Sequence, residues 1–207
     1  MAQAVSKAVA RETGGNTMPT AFEVLAKDHE EVKRMLTELE LGPTAATGAN
    51  SDQLALRKKM VQRLVIEESK HEAVEEMYFW PAVREHLSDG VDLANQAQGQ
   101  EQEGKVVLDQ LDKLAPEDER FEAQLSEFIT AGRAHIAFEE TTVWPDLRSA
   151  LTAQEAEDLG RKLQEGKKTA PTRPHPHTPA SPGVLKTAGP AVAAADRLRD
   201  KATGRNE

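Results

Sequence analysis

The chain of 207 residues contains no cysteine. That absence excludes disulfides, thiol nucleophiles and zinc–thiolate sites, and it agrees with a reducing, cytoplasmic setting. Aromatic residues are scarce: five Phe, two Trp and one Tyr. No stretch reaches the ~20 apolar residues of a membrane span, and Met1 to Met18 lacks the apolar run of a signal peptide. Basic residues are outnumbered 26 to 35, for a net charge of −9. A nucleic-acid-binding body needs a basic stripe, so no nucleic-acid partner is expected. An acidic, aromatic-poor chain can also be disordered, and periodicity has to decide.

The charge is unevenly spread. Gly166 to Glu207 holds eight Lys or Arg against three acids, net +5, and six of the 11 prolines. Residues 1–18 carry Lys7 and Arg11 against Glu12, so Pro19 to Glu165 carries −15. The expected organisation is a flexible start (1–18), an acidic body (19–165) and a Pro-rich basic tail (166–207) read as disordered. Such a tail buries too little apolar surface to offset its ordering entropy. A short Ala-rich helix near Ala191 to Lys201 is compatible with it.

Within the body, Phe22, Leu25, His29, Val32, Leu36 and Leu39 recur at intervals of three and four, one seam of a helix. Thr20 and Glu23 form a capping-box start, and Gly42-Pro43 forms a stop. A second seam runs Val61, Leu64, Glu68, His71, Glu75, Tyr78, Ala82. A third runs Ala94, Ala97, Glu101, Gly104, Leu108, Leu111. A fourth runs Phe121, Leu125, Phe128, Gly132, His135, Glu139, Thr142. Thr152 to Glu155 opens a shorter fifth helix ending near Gly166. Period-two alternation is nowhere sustained. Four long amphipathic helices with short connections predict an all-α, antiparallel up-down four-helix bundle.

The second and fourth helices repeat each other. His71, Glu75, Glu76, Trp80, Pro81, Arg84 and Leu87 recur 64 positions later as His135, Glu139, Glu140, Trp144, Pro145, Arg148 and Leu151. The first and third correspond more weakly: Glu31, Lys33, Leu36 and Leu39 align with Glu103, Lys105, Leu108 and Leu111, which sets His29 opposite Glu101. The body is two copies of one helix hairpin. The Trp-Pro pairs are expected to cap the bundle and to end or kink their helices.

Each seam points at the core, yet each carries His or Glu at mid-length. Uncompensated buried carboxylates cost several kcal/mol each, on the order of 2–7 for a polar group without a partner, and they repel one another. A cation resolves both problems. His and Glu at i and i+4 lie on one face and reach the same or adjacent ions. Imidazole with carboxylate suits iron or manganese, and also zinc. Two octahedral ions need about twelve coordination positions. Two bridging carboxylates, four other side chains and an oxo or hydroxo bridge leave about two open.

These residues resemble the hemerythrin-like HHE cation-binding domains, four-helix bundles with a non-haem di-iron centre. The match covers Thr20 to Leu151 and rests on Asp28-His29-Glu30, His71-x-x-x-Glu75-Glu76 before Trp80-Pro81, and His135-x-x-x-Glu139-Glu140 before Trp144-Pro145. The resemblance implies two iron ions, oxo- or hydroxo-bridged, with ligand roles for His29, His71, Glu75, His135 and Glu139. The family usually has a histidine on the third helix. Here Glu101 holds the aligned position, with Gln102 a less well-phased alternative. A carboxylate in place of an imidazole adds negative charge, which stabilises the ferric state and lowers the reduction potential.

Other seam residues allow two readings. Glu68 is either a ligand or partner of an imidazole, or a surface salt-bridge residue; Gly104 and Gly132 suggest that room is needed near it. Tyr78 either hydrogen-bonds into the site or packs near the bundle end. His86 reads as structural, and His175 and His177 as solvated. Glu76 and Glu140 are expected to face a neighbouring helix or water. The resemblance implies a protein that binds or reacts with O2, NO or peroxide, in redox or stress response or in sensing, with or without turnover. The alternative is iron storage, donation or iron-sensing regulation, with the tail as the segment that meets a protein partner.

Overall fold

The structure, a computed structural model, describes residues 18–177 and 182–205. Apart from Met18, the start expected to be flexible lies outside these residues.

Thr20 opens α1 (Ala21–Leu41): its hydroxyl accepts from the Glu23 N–H, and the Glu23 carboxylate accepts from the Thr20 N–H at 2.7 Å. The buried side of α1 is the expected seam, Phe22, Leu25, His29, Val32, Leu36 and Leu39. A single 3-10 turn (Ala45–Thr47) leads to α2 (Ser51–Val74), capped by Asn50 and Gln53. Then follow α3 (Trp80–His86), α4 (Gly90–Lys113), α5 (Glu119–Phe138), α6 (Trp144–Ala150), α7 (Ala153–Lys167) and α8 (Pro182–Thr203). Thr152 and Glu155 cap α7 as expected. No strand occurs among the described residues.

The Trp-Pro pairs act differently from the expectation. Glu75–Phe79 and Glu139–Val143 are widened π turns, after which α3 and α6 each continue for seven residues. Proline lacks an N–H, and its ring collides with the carbonyl four residues back in an ordinary α-helix. The π turn relieves that conflict without ending the rod. It falls at the same place in both copies of the repeat.

α1, α2–α3, α4 and α5–α6 form the antiparallel bundle, with α1 and α4 each packed on both α2 and α5. α7 lies across α1 and α2. At Gly160 a Cβ would stand 2.2 Å from the Pro19 carbonyl oxygen, so α7 meets the start of α1 backbone to backbone. The core has two apolar layers. One gathers Phe22, Leu25, Val74, Phe79, Trp80, Ala97 and Trp144; the other gathers Leu36, Leu39, Leu64, Leu108, Phe121, Leu125 and Phe128. A fully buried leucine contributes about 2 kcal/mol. The polar seam residues lie between these layers.

The tail is a correction. Ala170 and Thr172 are buried, and α8 packs on the π turn of α2. Arg173 and Arg205 both reach Asp112 of α4, at 3.2 and 2.6 Å, and Arg173 also pairs with Asp200 at 2.7 Å. His175, expected to be solvated, meets Asp196 at 2.9 Å. Opposite charge explains the departure: the basic tail finds its partners on the acidic body and on its own helix, and buried charges persist when paired.

Candidate metal centre

Six side chains converge between the apolar layers. His29 comes from α1, His71 and Glu75 from the second rod, Glu101 from α4, His135 and Glu139 from the fourth rod. Glu75 and Glu139 are fully buried, and His29, Glu101 and His71 nearly so. The side chains fall into two groups of four. His29, His71, Glu75 and Glu139 bring donor atoms within 4.8 Å of one another, and so do Glu75, Glu101, His135 and Glu139. Glu75 and Glu139 belong to both.

The inward atoms are without hydrogen-bond partners. Nε2 of all three histidines, both oxygens of Glu75 and of Glu139, and Oε2 of Glu101 make no hydrogen bond. His29 Nε2 stands 3.1 Å from Glu139, His71 Nε2 3.2 Å from Glu75 and His135 Nε2 3.3 Å from Glu139. Two donors bound side by side to one cation at bonds of about 2.1 Å lie about 3 Å apart. Each unmet buried group costs about 1–3 kcal/mol, more if charged. The donor set and its unmet atoms therefore fit a metal.

The outward atoms are held in place. His29 Nδ1 meets Glu140 at 3.0 Å, and Lys33 holds that carboxylate at 2.7 Å. His71 Nδ1 lies 3.5 Å from Asp28, which Lys167 holds at 2.5 Å. His135 Nδ1 lies 2.9 Å from Gln100. Such outer partners fix ring orientation and aim Nε2 at the centre. The arrangement follows the repeat: Asp28 with His71 matches Gln100 with His135, and Lys33 with Glu140 matches Lys105 with Glu76. The expectation that Glu76 and Glu140 face a neighbouring helix holds. Trp80 donates its indole N–H to Glu101, while Trp144 stacks on His29 at 4.9 Å. Both tryptophans thus touch the site, a contact that the sequence reading assigned to neither.

Electrostatics agree with a site suited to a cation. Burial, then the charges of Glu139 and Glu101, push the Glu75 carboxyl well above its ordinary range. Burial, then Glu76, pushes Glu101 up to about 8. Burial alone would lower His135, but the carboxylate of Glu139 raises it to about 9. A divalent cation held by these residues would take the place of the retained protons.

Of the further residues, Glu68 is buried beside the site, and burial raises its carboxyl to about 7. It belongs to neither group of four. Tyr78 points elsewhere: it packs against Gly166 of α7 and beneath Lys186 of α8, 5.0 Å from its ring centre. Gln102 is turned away too, donating to the Pro176 carbonyl at 2.7 Å. No described helix is long and apolar enough to cross a membrane.

Known proteins resemble this chain. The model of the hemerythrin HHE cation binding domain matches residues 20–147. A hemerythrin-like protein of Schizosaccharomyces pombe is 25% identical over 184 residues, covering 88% of this chain and 86% of that one. The crystal structure of a hemerythrin HHE cation binding domain-containing protein from Mycobacterium kansasii shares the fold. It has a TM-score of 0.59 at 22% identity, over 86% of this chain and 99% of the other. The matched span begins at the cap of α1 and ends in α6, so it takes in all six converging side chains. With that match across more than half its length, this chain belongs to the hemerythrin HHE cation-binding family.

Proposed function

We propose that the cluster holds two iron ions, one among His29, His71, Glu75 and Glu139 and one among Glu101, His135, Glu75 and Glu139. The observation that carries this reading is the sharing of Glu75 and Glu139 between the two groups of four. Each has two buried oxygens without a hydrogen-bond partner. When bound, such a pair of ions supplies electron exchange and open coordination positions for O2, NO or peroxide. The chain's own residues do the rest. His29, His71 and His135 present Nε2 because their outer nitrogens are held, Trp80 orients Glu101, and the apolar layers close the site above and below. The protein accordingly binds or reacts with a diatomic or peroxide ligand in redox response or sensing.

A second reading, iron storage, donation or sensing, is favoured by the −15 charge of the body, which draws cations toward it. Metal analysis with optical and Mössbauer spectra, before and after O2, NO and peroxide, tests both. Two irons per chain with new absorption bands on exposure are expected. Iron that passes readily to apo-proteins and is spectrally indifferent to all three ligands supports storage or donation instead. A single ion, or zinc alone, overturns the di-iron reading.

A further inference from the structure

The site is not equally closed on all sides. Apolar layers cover it above and below. Beside His29 and His71, the outer carboxylates are themselves covered by the ammonium groups of Lys33 and Lys167. A cation approaching there meets positive charge. The face between α4 and α5 differs. A cleft of about 270 Å³ runs there from exposed Glu103 and Glu127 down to Glu101 and His135. A water occupies about 30 Å³ of liquid, so a partly hydrated ion fits.

Two features of the cleft have no part in the fold or in the proposed site. Glu72 lines its wall and is 4% exposed, yet its Oε2 makes no hydrogen bond. The nearest ammonium, Lys105, stands 3.9 Å away and is engaged with Glu76. Gly104 lies within α4 opposite. A glycine inside a helix costs about 1 kcal/mol against alanine. A Cβ at this position would sit 3.7 Å from Glu72 Oε1 and 3.7 Å from the Phe128 ring, within the cleft. Its absence leaves the Glu72 carboxyl open to whatever enters.

Resting on the two-ion reading, we infer that the cleft between α4 and α5 is the route by which a divalent cation reaches the cluster, with Glu72 the carboxylate that passes it inward. Glu103 and Glu127 gather the ion at the mouth. Glu72 and Glu68 replace its water along the wall. Glu101 and His135 receive it first. The half built on His29 and His71 fills only past them.

The test uses the full-length metal-free protein mixed anaerobically with ferrous ion in a stopped-flow instrument. Trp80 and Trp144 both touch the cluster, so quenching of their emission reports arrival. Rapid desalting and metal analysis report occupancy. Gly104→Leu is expected to slow uptake at least tenfold with final occupancy unchanged, and Gly104→Ala to slow it less. Glu103→Gln with Glu127→Gln is expected to slow uptake about threefold and to flatten its salt dependence. The same charge change at exposed Glu117 and Glu119 should leave the rate unaltered. Wild-type rates in both the Gly104→Leu protein and the mouth double variant overturn the route. If Gly104→Leu does not fold, the mouth double variant decides alone, because both its changes are on the surface. Wild-type protein that takes up no iron, or one ion only, overturns the two-ion reading. Two ions taken up at full speed by both the Gly104→Leu protein and the mouth double variant overturn the route and leave that reading intact.

Discussion

His29 and Glu101 occupy equivalent places in the two halves of the molecule but offer the metal different charge. His29 is neutral as a ligand, stacked on Trp144 and held by Glu140; Glu101 is an acid held by Trp80. On the two-iron proposal, Glu101→His should therefore raise the midpoint potential of iron loaded into the site, because one negative charge beside it is removed. A redox titration of the two proteins checks this, and equal potentials contradict it. Glu140 reaches the cluster only through the His29 ring, at 3.0 Å from Nδ1. Glu140→Gln loses the charge that holds His29 Nδ1 and should weaken metal binding 10- to 100-fold, the usual cost of losing an outer partner of a ligating imidazole. Competition with a chelator measures it. Of these residues, the six converging side chains were legible from seam spacing, the repeat and the family resemblance. The partners Gln100 and Asp28 were not, because hydrogen bonding to a ring's outer nitrogen leaves no periodic trace.

At the scale of the element, duplication explains most of what is seen. Both rods that carry His-x-x-x-Glu pass through a π turn at the glutamate and resume at Trp-Pro. The sequence showed the repeated proline, but a proline within a helical pattern reads equally as a stop or a kink. Whether a π turn relieves it depends on what the next segment packs against. The start of α7 was similarly half legible. Thr152 and Glu155 marked its cap, whereas its backbone approach to α1 at Gly160 rests on a tertiary crossing. Gly160→Ala gains helix propensity, yet its methyl meets the Pro19 carbonyl and the Thr20 backbone, which cannot step aside singly. A net loss of about 2 kcal/mol is expected from overpacking of this kind, read as a shift of the denaturant midpoint. A neutral or stabilising result would show that α7 can move off α1.

At the scale of the whole molecule, metal and stability are linked. Folded and metal-free, the protein retains protons on Glu68, up to about 7, and on Glu101, up to about 8, where free carboxyls titrate near 4.5. It also holds the His135 proton up to about 9, above the usual 6.5. The unfolded chain binds fewer protons in that range, so stability falls as pH rises. His71, which burial lowers, acts in the opposite sense, but only below 6.5. The melting temperature of the metal-free protein should thus fall between pH 6.5 and 9. With metal bound, the protons of Glu101 and His135 are already displaced and the curve should be flatter. Calorimetry at several pH values, with and without metal, checks both; parallel curves would contradict the linkage. Saturating metal at a thousandfold excess over Kd should add about 4 kcal/mol per independent site.

The sequence by itself determined the rods, their polar seams, the doubled hairpin and the donor set. Each of these is a local period or an identity between two stretches of chain, and side-chain direction along a helix follows from spacing alone. Tertiary structure decided which face of the cluster opens to solvent, that Tyr78 turns away and that the basic tail lies on the body. Those outcomes depend on distances between helices and on charges meeting across the fold. Asp112 joining Arg173 and Arg205 is one such meeting, and no composition of either segment taken alone contains it.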